Sequence, residues 1–175
     1  LAGLMKESNC TLISIVVIGG MGKTRYAIES VRAALSLFQD GVFFIPLTDI
    51  ESSALIFPTI AETIGFSFYG NRDPEQQLIE HLKDKEMLLI IDNFEHLTPH
   101  AEKLTELTKH APRLKLIVTS RERLNLQIEW QFELDGLHFP EESDASKANE
   151  FDAVQLFKVS AARVSGEWSV THQDR

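Results

Sequence analysis

Lys23 and Thr24, Asp92, and Arg121 each stand where an apolar run gives way to polar residues, and each is a residue type that handles phosphate or its metal. The first group closes the segment Gly19-Gly20-Met21-Gly22-Lys23-Thr24, directly after Leu12-Ile13-Ser14-Ile15-Val16-Val17-Ile18. A helical pattern follows from Arg25. Strand, Gly-rich turn and helix in that order form a phosphate-binding layout. Glycines let backbone N–H groups turn inward around an anion, and the helix N-terminus adds its positive dipole end. Lys23 would meet the outer phosphates and Thr24 would hold Mg²⁺ through its hydroxyl. The competing reading is a Gly-rich βα turn in which Gly-Lys-Thr falls by chance. The strict G-x-x-x-x-G-K-[ST] pattern is not met, because Val17 occupies the first Gly position. If that position needs a positive φ, a β-branched residue is strained there, so Val17 is expected to weaken phosphate binding.

The second group is Met87-Leu88-Leu89-Ile90-Ile91-Asp92-Asn93, which carries an aspartate to the C-terminal tip of a buried strand. Ligands of open α/β sheets bind at that edge. An aspartate there can hold Mg²⁺ directly or through water, or it can simply cap a helix. The third group, Leu114-Lys115-Leu116-Ile117-Val118-Thr119-Ser120-Arg121, ends another buried strand on a guanidinium. Arg121 could approach a γ-phosphate, or pair on the surface with Glu122 or another carboxylate.

The elements that must position these groups alternate between strand and helix. Strands are predicted at Thr11–Ile18, Val42–Leu47, Met87–Ile91, Leu114–Thr119 and Trp130–Leu134. The first, third and fourth are almost continuously apolar, as expected of parallel strands buried on both faces. Arg25–Phe38 reads as a helix with Ala27, Ile28, Val31, Ala34, Leu35 and Phe38 on one stripe. Ser52–Gly65 reads as a helix broken or kinked at Pro58. Pro74–Lys83 follows Asp73 as N-cap, with Pro74 at the first helical position. Thr98–His110 aligns Ala101, Leu104, Leu107 and Ala111. The alternation implies an α/β fold with a parallel sheet and right-handed crossovers. Segment 136–150, with Gly136, Pro140 and several acids, reads as a linker, and Asn149–Val164 as one more amphipathic helix.

Composition narrows the function. The 175-residue chain is 43% apolar and 25% charged, ordinary for a globular protein, with a formal net charge of −9. Such a chain is a poor non-specific ligand for nucleic acid or anionic membrane. The single cysteine, Cys10, excludes an internal disulfide and fits a reducing compartment. The longest apolar run, Leu12 to Ile18, is too short to span a bilayer. A start at Leu1 without a signal-peptide layout reads as a piece of a longer, cytoplasmic protein.

Taken together, these segments resemble the nucleotide-binding core of STAND-class signalling ATPases, the NB-ARC-like group, including those attached to bacterial transcriptional activators. The likeness lies in Ile18-Gly19-Gly20-Met21-Gly22-Lys23-Thr24-Arg25, in 40–47, in Leu89-Ile90-Ile91-Asp92-Asn93-Phe94-Glu95-His96-Leu97 and in Leu116-Ile117-Val118-Thr119-Ser120-Arg121-Glu122-Arg123-Leu124. Asp152-Ala153-Val154-Gln155-Leu156-Phe157 is similar to the first helix of the family's lid. The resemblance implies a P-loop NTPase three-layer sandwich with sheet order 5-1-4-3-2. It implies a core over 1–140, then an acidic linker and the first helix of an incomplete lid over 141–175. Gly19, Gly20, Met21, Gly22, Lys23, Thr24 and Arg25 would bind ATP or ADP. Thr24 and Asp92 would hold Mg²⁺, and Asp92, Arg121 and Glu95 stand as candidate catalytic residues. Such proteins switch on exchange of ADP for ATP, through contacts with their other domains and self-association in the ATP state.

Departures from the pattern accompany the match. Besides Val17, the place where many related ATPases carry a second acid is Asn93, and the family's Gly-Arg-Glu and Gly-x-Pro motifs are absent. Two rival readings follow: a degenerate scaffold that no longer binds nucleotide, favoured by Val17, and a dedicated fast ATPase, disfavoured by Asn93. His96 and His100 share helical spacing as metal ligands but lack a third. Glu102 and Glu106, like Glu95, fit helix-surface acids. Ser14, Ser120 and Cys10 show no nucleophile context, and Trp130 and Trp168 fit packing roles.

Overall fold

The computed structural model describes residues 1, 3–17, 22–32 and 34–133. The predicted helix 149–164, the linker, Trp168 and the family's lid helix lie outside the described residues. The strands are β1 (Leu12–Val16), β2 (Gly41–Pro46), β3 (Met87–Asp92), β4 (Lys115–Ser120) and β5 (Glu129–Glu133). The helices are α1 (Lys23–Arg32), α2 (Ile56–Ile64), α3 (Pro74–Leu82) and α4 (Glu102–His110). All strand pairings are parallel, in the order β2-β3-β4-β1-β5. This is the expected order, with β4 between the phosphate-loop strand and the Asp92 strand.

The continuous apolar runs are buried on both faces because each strand alternates its side chains between two helix layers. Leu12, Leu89, Ile91, Leu116 and Val118 join one core with α2, α3 and α4. Ile13, Ile15, Leu88, Ile90 and Ile117 join the other with Ala27 and Val31 of α1. Register then fixes the functional edge. Val16 lies opposite Ser120 and Ile91 opposite Val118, so the C-terminal tips of β1, β3 and β4 are neighbours.

Several predicted boundaries change. Helix α1 stops at Arg32 and a 3₁₀ turn covers Leu35–Leu37. The buried stripe is narrower than predicted: Ala27, Val31, Ala34 and Phe38 are buried, while Ile28 and Leu35 are exposed. Pro58 does not break its helix. A 3₁₀ turn at Ser53–Leu55 precedes α2, so Pro58 is the third residue of α2. In a first helical turn the N–H that proline lacks has no intrahelical partner to lose. Gly65 ends α2 in the left-handed region (φ 74°). Asp73 caps α3 through Glu75 N, with Pro74 at its first position, as predicted. The helix read from Thr98 instead begins as a 3₁₀ segment, Phe94–His100, and α4 starts at Glu102. Trp130, expected as a packing residue, is exposed on β5.

His81 of α3 stacks on Phe66, with centroids 4.4 Å apart. Burial, and then the nearby Lys85 charge, lower its pKa from the ordinary 6.5. The unfolded chain therefore binds more protons between the two pKa values, so stability rises with pH there. The His81 contribution is full above 6.5 and is lost as pH falls through the folded value. We expect the thermal midpoint to fall between pH 7 and pH 5 by more in the parent chain than in His81→Phe. Parallel pH profiles would contradict this assignment.

Candidate functional site

The end of the phosphate loop is set by Gly22, which has φ +78°. A Cβ there would meet open space, so the restriction is backbone conformation and not crowding. The Gly22 carbonyl accepts the Tyr26 N–H at 2.9 Å and so closes the first turn of α1. Lys23 follows with only 7% of its surface exposed. Its Nζ donates to the Val17 carbonyl at 3.3 Å, and it forms no ion pair among the described residues. Arg25 is exposed on α1 and does not join the cluster below. Gly19, Gly20 and Met21 lie outside the described residues.

Val17 does not meet the condition under which it would be strained. Among the described non-glycine residues only Asn93 and Asn125 have positive φ, so Val17 is not strained in that sense. Its N–H donates to the Ser120 carbonyl at 3.3 Å, continuing the β1–β4 pairing, and its side chain is buried on the α1 face. Val17→Gly should destabilise the fold. Losing a buried valine and adding backbone freedom together cost about 2–4 kcal/mol. Urea denaturation checks this; a loss below about 0.5 kcal/mol, the range of neutral surface changes, would contradict it.

Asp92 joins α1 to the tips of β3 and β4. Thr24 Oγ1 lies 2.8 and 2.9 Å from the two carboxylate oxygens, so one hydroxyl proton is shared between them. Thr119 Oγ1 donates to Oδ1 at 2.5 Å. The next residue, Asn93, is in the left-handed region (φ 63°, ψ 50°), which asparagine tolerates better than most side chains. Its N–H donates to Thr119 Oγ1 at 3.0 Å and its Nδ2 to Thr48 Oγ1 at 3.0 Å. Asn93 therefore shapes the turn that follows β3.

Arg121 Nε pairs with Glu95 Oε1 at 3.0 Å, its side chain 63% exposed and that of Glu95 19%. Glu95 is therefore not the surface acid its helical context suggests. Fully buried Phe94 anchors the start of its 3₁₀ segment. Glu95 Oε2 is buried and has no hydrogen-bond partner among the described residues. An orphaned carboxylate oxygen at the ligand edge of a sheet is unusual in a native fold and calls for a donor such as water.

Three residues have roles that the sequence did not assign. Thr119 is the hub between Asp92 and Asn93. Ser14, buried within β1, donates to Glu129 Oε1 at 2.5 Å, and Glu129 accepts the Leu124 and Leu126 N–H groups. That carboxylate ties the loop after Arg121 to the sheet. The only sign of Ser14 or Thr119 is a hydroxyl inside an otherwise apolar strand. His96 turns to the Ile50 carbonyl (2.6 Å), and no group of three or more His, Cys, Asp or Glu residues among the described residues could hold a metal.

A parallel sheet of this order, with a loop-to-helix turn bearing Lys23 and Thr24 beside the Asp92 strand, is the P-loop NTPase fold. Solved structures share it. The chain is similar to a chain of Drosophila ORC bound to DNA, at 15% identity and TM-score 0.58, over 93% of this chain and 47% of that one. It is similar to the Aeropyrum pernix ORC2 protein in ADPNP–ADP complexes, at 14% identity and TM-score 0.52, over 76% and 44%. A STAND protein with a tetratricopeptide repeat sensor, PH0952 of Pyrococcus horikoshii, aligns at 22% identity over 78% and 23%, but its TM-score of 0.49 is too low to bear on kinship. Among curated sequences the chain is 29% identical over 164 residues to "Putative HTH-type transcriptional regulator Rv0890c" of Mycobacterium tuberculosis. It spans 17% of the length of that relative, and 93% of this chain is covered. No protein-family model matches the chain.

Proposed function

We propose that this chain is the Mg²⁺-dependent ATP- and ADP-binding module of a STAND-type switch in signalling or transcription, with slow hydrolysis or none. The observation that carries the reading is the contact of Thr24 on α1 with Asp92 on β3, beside the buried Lys23. The donor set fits the ligand: a desolvated ammonium without a counter-charge among the described residues suits an anion, and a hydroxyl against a carboxylate suits a hard cation. Thr24 and Asp92 would hold Mg²⁺ and Lys23 the outer phosphates. The bound cation would neutralise charge on those phosphates.

Arg121 is the reader of nucleotide state in this proposal. Its guanidinium pairs with Glu95; a γ-phosphate at the same sheet edge would compete for it. Arg121→Ala should weaken a non-hydrolysable ATP analogue by roughly three- to tenfold, less than a water-excluded contact because the side chain is exposed. ADP affinity should stay nearly unchanged, and Glu95→Gln should tighten the ATP analogue. Calorimetry with both nucleotides tests this. Equal losses for ATP and ADP on Arg121→Ala would mean that Arg121 serves the fold or the shared phosphates.

Slow turnover follows from the same edge. The Asn93 amide cannot serve as a general base and is engaged with Thr48. Glu95 is the remaining carboxylate, and one of its oxygens is committed to Arg121. Phosphate release should stay well below about one per second, the lower end of kinase turnover. Faster release that Glu95→Gln abolishes would make Glu95 the base. The mycobacterial relative's name supports a regulatory setting, and its greater length supports partner domains as recipients of the switch. Self-association in the ATP state and cytoplasmic placement belong to the same reading. The net charge of −9 disfavours non-specific nucleic-acid binding by this chain and supports a reading in which any such contact is made elsewhere in a longer protein. Among the described residues no helix is long and apolar enough to cross a membrane.

A further inference from the structure

We infer that Thr119 is a positioning residue for the cation site, setting which oxygen of Asp92 is left to face Mg²⁺; this rests on the nucleotide-binding reading above. Thr119 is fully buried. Its hydroxyl has one proton and two lone pairs, and two neighbours fix their use. The proton goes to Asp92 Oδ1 at 2.5 Å, and the oxygen accepts the Asn93 N–H at 3.0 Å. Because the Asn93 backbone is locked in the left-handed region, that N–H arrives from a fixed direction. The hydroxyl proton is thereby committed to Asp92.

The two oxygens of Asp92 are consequently unequal. Oδ1 accepts from both Thr24 and Thr119, while Oδ2 has only its share of the Thr24 proton. Oδ1 is anchored toward β4 and Oδ2 is the oxygen freest to meet a cation. A carboxylate held by an outer partner in this way loses less freedom when it binds metal, and losing such a partner typically weakens metal affinity about 10–100-fold. Thr119 touches neither nucleotide nor cation in this account; it acts through Asp92.

The test is the ratio of ADP affinity with Mg²⁺ to that without, measured calorimetrically on the whole chain. Thr119→Val keeps the side-chain shape and deletes the hydroxyl. It should shrink the ratio about tenfold, leave Mg²⁺-free affinity within about twofold, and be rescued by Thr119→Ser. Thr119→Cys keeps a small polar group with a weaker donor and should fall between, which preserves the test if the valine variant folds poorly. An undiminished ratio, or a parallel loss with and without Mg²⁺, would overturn the inference and leave Thr119 structural. If the parent chain itself binds no ADP, it is the nucleotide-binding reading that fails.

Discussion

Replacing Lys23 with alanine should lower ADP affinity by at least about tenfold while leaving the fold intact. Lys23 is buried, yet its one hydrogen bond among the described residues is a long one to a neutral carbonyl. A desolvated ammonium so weakly compensated adds little to stability. An arriving phosphate would supply the missing counter-charge, and a charge-assisted contact of that kind is worth roughly 1.5–3 kcal/mol. That range corresponds to about 10–150-fold in affinity. Thermal stability without nucleotide should be unchanged or higher in the variant, because a buried charge has been removed. Lys23→Met, which retains the apolar stem, separates charge from packing and should lose affinity to the same degree. Equal ADP affinity in the parent and in Lys23→Ala would place the nucleotide elsewhere or nowhere.

Asp92→Ala should have the second large effect, and a different one. It removes the acceptor shared by Thr24 and Thr119. The Thr119 hydroxyl, fully buried, would lose its acceptor, a penalty of about 1–3 kcal/mol. The stimulation of ADP binding by Mg²⁺ should disappear, while Mg²⁺-free binding, carried by Lys23 and the loop, should persist. Asp92→Ala and Thr119→Val act through one group, so their effects on Mg²⁺ stimulation should not add. Retained stimulation in Asp92→Ala would remove Asp92 from the cation site.

The sheet was legible because its cause is legible. Strands covered on both faces must be apolar almost throughout, and the runs of β3 and β4 end on polar residues at their tips. Thus the pattern alone assigns Asp92 and Arg121 to one edge, and the strand order follows from the resemblance. The strain that the motif raised for Val17 required a positive φ, which the motif alone could not settle: the residue's N–H bonds to the Ser120 carbonyl and its side chain is buried against α1, with no positive φ. Pro58 was misread because a short 3₁₀ turn moved the helix start to Ile56, where a proline two residues on is harmless. Glu95 looked like a surface acid because helical periodicity records neither the left-handed turn at Asn93 nor the pairing with Arg121, which follows β4. The roles of Thr119, Ser14 and Glu129 depend on side chains meeting between strands and loops far apart in the chain, which no local pattern records.

The most direct test of the account is calorimetric titration of this chain with ADP and with a non-hydrolysable ATP analogue, each with and without Mg²⁺. The account predicts saturable binding of both nucleotides that tightens when Mg²⁺ is present. An absence of binding up to millimolar nucleotide, the weak end of specific affinity, would contradict it and leave a P-loop fold that serves only as a scaffold.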